Sequence, residues 1–400
     1  MFSDIPPHAG DPILGLLETF RTDPRPGKVN LGVGMYYDER GVIPVLDSIR
    51  QAEQRISSDT SACVYLPMEG HQAYRAAIAP LIFGEALASE LRLSTIQTLG
   101  GSGALKVGAD FLYRFFPDRS VWVSNPTWDN HIGIFEGAGF NVARYPYYDE
   151  RTKGLAFEEL LTSLSAAEPG DIVLLHPCCH NPTGVDPSRA QWSAIVDLLQ
   201  QRKLLPFFDM AYQGFDKSND DDAWVIRECA ARGLDLLVSL SFSKTFSLYG
   251  ERCGALSVVS RDRTAAENVL GQLKLAVRRN YSSPPTRGMK LISTVLSDGS
   301  LYETWCREVD GMRTRIQGVR SQLRQMLLEL RPAGSYDYLV HQTGMFAYTG
   351  LSNAQVNALK DEYGVYAVSS GRICVAGLNA DNLIRVARAI SSVENAVASQ

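Results

Sequence analysis

The chain has 400 residues, 45% hydrophobic and 21% charged, and its 39 basic and 44 acidic side chains give a formal net charge of −5. That length exceeds the roughly 250–300 residues over which one hydrophobic core keeps growing, so two packed domains are expected. Interspersed charges of nearly balanced sign leave no footprint for a polyanion, which excludes nucleic acid as a partner, and the lack of Pro-, Ser- or charge-dominated runs excludes a long disordered linker.

The N-terminus, MFSDIPPHAG, has no basic segment followed by an apolar run, and no later stretch is long and apolar enough to span a bilayer, so a cytoplasmic chain is expected. Seven cysteines, scattered and odd in number, make a poor disulfide framework and read as reduced thiols. At 98–111, TLGGSGALKVGADF predicts a Gly-rich turn running into a helix. Backbone N–H groups and the helix dipole there can hold an anion, although alone the turn reads equally well as a simple helix entry. No GKS or GKT follows, which argues against a nucleoside triphosphate.

Four apolar runs follow, VWVS at 121–124, IVLLH at 172–176, LLPFFD at 204–209 and LLVSLS at 236–241. Strands separated by helix and loop in this way predict right-handed βαβ crossovers and an α/β domain with a parallel sheet covered on both faces. Ligands bind beyond the carboxyl ends of such strands, where the clusters SNPTWDNH, HPCCHNPTG, FDMAYQGF and SFSKTF fall. After residue 300 long charged amphipathic stretches take over, then strand-like pieces and a last helix whose Leu383, Val386, Ala387 and Ile390 form one apolar face. A second, α+β domain is expected there.

Lys244 stands in SFSKTFSLYGER, after a predicted strand. A lysine becomes a nucleophile at neutral pH only when desolvation or a nearby cation lowers its pKa, and Schiff-base formation with an aldehyde cofactor is a frequent use. By itself it also fits a solvated loop lysine. Arg252, with the hydroxyls of Ser241 and Ser243, can hold a phosphate through a rigid guanidinium fork. Asp209 ends an apolar strand, where a carboxylate needs a cationic partner such as a protonated pyridine nitrogen, or else serves as a cap or a structural ion pair. Tyr212 and Asn181 can hydrogen-bond a phenolic oxygen, and Trp128 can cover a ring face or merely pack. In HPCCH, His176, Cys178, Cys179 and His180 look superficially like metal ligands. Adjacent cysteines point apart on an extended chain, however, and paired zinc spacing is absent, so no metal site is expected.

Asn181, Asp209, Tyr212, Lys244 and Arg252, within NPTG, DMAYQGF, SFSKTFSLYGER and the later SGRICVAGL, resemble the fold-type I, class I aminotransferases that use pyridoxal 5′-phosphate. The resemblance runs from DPILGL at 11–16 past Val375, nearly the whole chain. It implies a large cofactor-binding domain over 43–311 with a mostly parallel central sheet flanked by helices. A smaller α+β domain over 15–42 and 312–400, and an N-terminal arm over 1–14 reaching a partner subunit, complete the implied fold.

By the same resemblance, Lys244 forms the Schiff base with the cofactor and then moves the substrate α-proton. Asp209, backed by His131, keeps the pyridine nitrogen protonated, and Asn181 and Tyr212 bind the 3′-oxygen. Gly101, Ser102, Ser241, Ser243 and Arg252 hold the phosphate, and Trp128 stacks on the ring. Arg372, with Gly34 and Asn181, takes the substrate α-carboxylate. Tyr65, Arg278 and Ser282 cross to the neighbouring subunit's site, Tyr65 toward the cofactor and Arg278 toward the distal carboxylate of dicarboxylates, so a homodimer is implied.

LGGSGALKVGADF, VRRNYSSPP, MRTRI and GRICVAGLN are more similar to bacterial aromatic (tyrosine) aminotransferases than to aspartate enzymes, and Ser102 and Ser283 stand where the latter more often carry threonine and asparagine. The implied reaction moves the amino group of phenylalanine, tyrosine or tryptophan, with aspartate as an accessory donor, through pyridoxamine phosphate to 2-oxoglutarate. The alternatives are an aspartate aminotransferase with weak aromatic activity, a pyridoxal-phosphate lyase or decarboxylase, and a non-enzymatic regulator on the same fold.

Overall fold

In the computed structural model the described residues are 2–6, 12–90 and 92–398, so part of the arm expected over 1–14, and Asp11 of DPILGL, lie outside them. The chain divides into two compact units, Met1–Ile43 with Arg315–Gln400, and Pro44–Thr314.

The second unit is built on seven strands: β1 (Arg92–Leu99), β2 (Ser120–Asn125), β3 (Asn141–Pro146), β4 (Ile172–Leu175), β5 (Leu205–Met210), β6 (Leu236–Ser241) and β7 (Cys253–Ser260). They form one sheet in the order β1-β7-β6-β5-β4-β2-β3. Neighbours from β6 to β3 run parallel, while β7 is antiparallel to both β1 and β6. The four predicted apolar runs are β2, β4, β5 and β6; every residue of β4 and β6 is buried, as a sheet covered on both faces requires.

Helix α1 (Gly100–Phe115) lays Ala104, Leu105, Val107, Ala109 and Leu112 on this sheet, where they share a core with Ile96, Phe207, Leu237 and Leu256. A Cβ at Gly108 would stand 2.6 Å from the Phe207 ring, so a glycine there lets helix and sheet approach. Phe207 is fully buried, and its truncation to alanine would cost roughly 3–5 kcal/mol. Helix α2 (Asp129–Glu136) follows β2. Helix α3 (Arg263–Asn280) starts on Asp262, whose side chain accepts from Ala265 N at 2.7 Å, and adds Leu273, Ala276 and Val277 to the core.

The 32-residue helix α4 (Gly299–Leu330) contains the unit boundary at Arg315. In the first unit, Val29–Asn30 pairs in parallel with Val365–Tyr366, and Phe346–Tyr348 pairs antiparallel with Arg372–Cys374. Helix Leu383–Ala398 buries Leu383, Val386, Ala387 and Ile390, the face expected from its spacing. Among the described residues no helix is long and apolar enough to cross a membrane.

Candidate active site

Asp209 on β5 and Ser239 on β6 are paired in parallel register, and Ser239 Oγ lies 3.2 Å from both Asp209 Oδ1 and Gly101 O. Ser241, two residues on, shares that face of the strand. A Cβ on Gly101 would stand 3.1 Å from Ser241 Cβ, so glycine brings the N-terminus of α1 close to the serine. Arg252, at the entry to β7, adopts φ 52° and donates from Nη1 to Ser243 Oγ at 3.4 Å and to Tyr249 O at 3.0 Å. A Cβ on Gly100 would approach Arg252 Nη2 to 2.9 Å, and Ser243 N donates to Ser241 Oγ at 3.3 Å. A guanidinium, two hydroxyls and the first amides of a 16-residue helix therefore gather in one cradle suited to a dianion.

Asp209, 8% exposed, has Oδ2 3.2 Å from His131 Nε2, while His131 Nδ1 lies 2.9 Å from Thr127 Oγ1. A carboxylate only accepts, so the network assigns the proton to Nε2 and leaves Nδ1 to accept from the threonine hydroxyl. Burial alone would raise the Asp209 carboxyl; the hydrogen bond from His131, with the positive charge of Lys244, outweighs it and holds the group below its ordinary value. Behind His131, burial and the neighbouring imidazole lower the His176 pKa to about 3, and His176 Nε2 has no hydrogen-bond partner among the described residues. His180, whose ring nitrogens lie 2.8 Å from Ser124 Oγ and Thr183 Oγ1, is likewise pushed down by burial. An ionised carboxylate backed by neutral His176 and His180 suits a cationic ligand atom in front of it.

Lys244 lies half-buried in the loop after β6, its Nζ 5.1 Å from the ring centroid of the buried Tyr212. Trp128 immediately precedes α2, half-buried and edge-on to His131 at 5.1 Å. Asn181 is buried in the loop beyond β4. An anion cradle, an ionised carboxylate, an amine, a phenol and an indole on neighbouring loops match a phosphate-bearing aromatic aldehyde with a protonated ring nitrogen, so the residues present fit pyridoxal phosphate.

The family profile described as "Aminotransferase class I and II" matches residues 26–390. The chain belongs to this family. The aminotransferase is 55% identical over 396 residues to the aromatic-amino-acid aminotransferase of Escherichia coli (strain K12), covering 98% of this chain and 100% of the relative. It is 44% identical to the aspartate aminotransferase of Salmonella typhi, with 98% and 100% coverage. Among solved structures it is similar, at 48% identity and a TM-score of 0.96, to the aromatic-amino-acid aminotransferase of Burkholderia pseudomallei covalently bound to pyridoxal phosphate, covering 98% of this chain and 99% of that one.

Within the aminotransferase the expected residues fall into three groups. Gly101, Ser241, Ser243 and Arg252 form the cradle, with Ser102 part-buried in the first turn of α1, and Asp209, His131, Trp128, Tyr212, Lys244 and Asn181 line the same end of the sheet. Gly34 and Arg372 belong to the first unit: a Cβ on Gly34 would stand 2.7 Å from the Phe346 ring, and the Arg372 guanidinium lies 4.3 Å from that ring's centroid. Tyr65 is 93% exposed in an irregular segment, and Arg278, also exposed, donates from the end of α3 to Ser282 Oγ.

At HPCCH the expectation that the adjacent cysteines point apart on an extended chain fails. Cys179 has φ 51°, so the chain is not extended there, and the Cys178, Cys179 and Asp222 ligand atoms lie within 4.8 Å of one another. Other contacts occupy these groups. Asp222 Oδ2 accepts from the N–H groups of Gly214 and Asp216 at 2.8 and 3.0 Å, and Oδ1 from those of Lys217 and Ser218 at 2.9 and 3.4 Å. A hydrogen bond to Cys179 and then burial push the Cys178 thiol up, and burial pushes Cys179 up to about 12, which keeps both protonated. Ser239 and Thr127 were missed, and His176, weighed only as a metal ligand, lies instead against the His131 ring at 5.2 Å. For Ser239 a signal existed, its place two residues before Ser241 on the same strand.

Proposed function

We propose that this protein is a pyridoxal-phosphate aminotransferase whose preferred donors are aromatic amino acids. The observation that carries the reading is the meeting of the Arg252 cradle, the ionised Asp209 and Lys244 at one end of the sheet, in a chain 55% identical over its length to an aromatic enzyme. Pyridoxal phosphate, when bound, supplies an electrophilic carbon and an electron-accepting ring on which the amino group is exchanged.

The cradle of Gly101, Ser102, Ser241, Ser243 and Arg252 binds the phosphate. Asp209, oriented by His131, holds a proton on the ring nitrogen, and Asn181 and Tyr212 bind the ring oxygen. Trp128 covers the ring and excludes water. Lys244 Nζ anchors the cofactor and, once released, takes the proton from the substrate Cα. Arg372 binds the α-carboxylate, to which Gly34 and Asn181 also contribute. Arg278, Tyr65 and Ser282 serve the site of a second copy, and the arm over 1–14 reaches that copy, so the active unit is a homodimer. The small domain spans 15–42 and 312–400, the large one 43–311. The exchange is ping-pong, the first product leaving before 2-oxoglutarate enters, and aspartate is an accessory donor. A cytoplasmic location is supported by the seven free cysteines among the described residues.

Single-turnover kinetics of the cofactor-loaded enzyme with phenylalanine, tyrosine, tryptophan and aspartate test this reading. Aromatic donors are expected to react with the higher kcat/KM; a preference for aspartate of about tenfold or more, roughly 1.4 kcal/mol, would make it an aspartate aminotransferase instead.

A further inference from the structure

Arg320 of α4 is only 2% exposed. Its guanidinium donates into one turn of chain: Nε and Nη2 to Gly344 O at 3.1 and 2.8 Å, Nη1 to Leu339 O at 2.9 Å, and Nη2 to Thr343 O at 3.1 Å and to Phe346 O. That turn, with Gly344 at φ 68°, delivers the chain into Phe346–Tyr348, where Tyr348 stands opposite Arg372. Buried Gln342 ties the other end, accepting from Tyr348 N at 2.9 Å and donating to Tyr348 O at 3.2 Å. The Phe346 ring is thereby wedged against Gly34 on one side, with the Arg372 guanidinium 4.3 Å from its centroid. Arg372 Nη2 is held in turn on Gly32 O at 2.8 Å.

A buried guanidinium is a costly way to fill space, since its desolvation is offset only by hydrogen bonds of good geometry. An apolar side chain of similar volume would leave the carbonyl oxygens of Leu339, Thr343, Gly344 and Phe346 without this donor. What the arginine adds is a fixed shape for the turn, and that shape sets where the Phe346 ring lies. We propose that Arg320 is a positioning residue for Arg372: by clamping the 339–346 turn it fixes the aromatic platform on which the carboxylate-binding guanidinium rests. This rests on the role proposed above for Arg372.

The test measures binding of 3-phenylpropionate and of its uncharged isostere 3-phenylpropanamide to the cofactor-loaded enzyme by titration calorimetry. Arg320→Met and Phe346→Leu are each expected to weaken the acid about tenfold, in the range of a lost cation–π contact, while the amide changes by less than about twofold. Phe346→Tyr, which keeps the ring, should retain acid binding within about twofold. Arg320→Lys, a point charge that cannot span four carbonyls, should weaken the acid several-fold and carries the test if the methionine variant does not fold. Equal weakening of acid and amide, or undiminished acid binding, would overturn the proposal. Arg372→Lys separates the two readings. If it leaves acid binding intact, the role of Arg372 itself fails; if it weakens the acid while the Arg320 and Phe346 variants do not, only the positioning role fails.

Discussion

His131 Nε2 stands 3.2 Å from Asp209 Oδ2, and Thr127 Oγ1 at 2.9 Å from Nδ1 keeps that imidazole turned toward the carboxylate. The pair leaves Asp209 ionised although buried. In Asp209→Ala a charge-assisted contact worth roughly 1.5–3 kcal/mol is removed from the ring nitrogen, so turnover should fall far more than substrate affinity. The folded carboxyl is held below its ordinary value. Its grip on a cation should therefore persist as pH falls through about 4 and be lost only when the lower folded pKa is reached. Cofactor absorbance followed through an acid titration checks this, and wild-type release with a midpoint above pH 4 would contradict it.

Lys244 should carry the covalent link. The purified protein is expected to be yellow, and borohydride reduction followed by peptide mass spectrometry should find the cofactor on Lys244. Lys244→Ala should hold it only non-covalently and lose nearly all turnover. A label on another lysine would remove Lys244 from its assigned role.

Asp216 gives a stability prediction of opposite sign. Burial, then the neighbouring Asp186 and Asp222, raise its carboxyl to about 7. The folded state thus keeps a proton that the unfolded chain releases near pH 4, and this group makes stability fall as pH rises from about 4 to 7. Asp216→Asn should raise the melting midpoint at pH 8 by roughly 1–3 °C, with the gain vanishing below pH 4. Parallel melting curves at pH 4 and 8 decide it; a gain of equal size at both would trace to something other than this titration.

Arg278 is exposed and hydrogen-bonded to Ser282, a placement suited to a side chain that pairs with a distal carboxylate and swings into solvent when an aromatic ring binds. Arg278→Ala should lower kcat/KM for aspartate and 2-oxoglutarate by orders of magnitude and change the phenylalanine half-reaction little, whereas Arg372→Ala should damage both. Equal losses for aspartate and phenylalanine in Arg278→Ala would defeat the swing. Mixing Lys244→Ala with Arg278→Ala subunits should restore dicarboxylate activity in one site per hybrid dimer; none after verified exchange would count against sites shared between subunits.

The strands most legible in the sequence were those whose burial is local and complete. LLVSLS became β6 residue for residue, because a sheet covered on both faces needs a continuous apolar run. β1 was invisible for the converse reason. Ser94, Thr95, Gln97 and Thr98 are buried there, bonded to Ala266 O, Ser257 Oγ, Pro285 O and Gly100 O, and most of those partners are far away in the chain. The reversal of β7 left no trace either, since it is buried almost throughout, as the mutually parallel strands β4 to β6 are. In the site, residues in dense polar clusters stood out, whereas Ser239 and Thr127 matter through which atom they face, a property of register and rotamer. Arg320 was hidden in a charged helix, where one buried arginine looks like its solvated neighbours.

The reversal of β7 also shapes the one loop that carries both Lys244 and Arg252. Phe242 N donates to Cys253 O at 3.1 Å, so the segment between these residues is pinched shut at its neck, and Ser247 N to Lys244 O at 3.1 Å braces it within. With the roles proposed for the two residues, a cofactor bonded to the lysine and paired with the arginine would bridge this loop like the closing link of a chelate ring. When one link broke, the other would hold the released end at an effective concentration of roughly millimolar, favouring re-formation over escape. Under the roles proposed for Lys244 and Arg252, escape of the cofactor would require both links to be open at once.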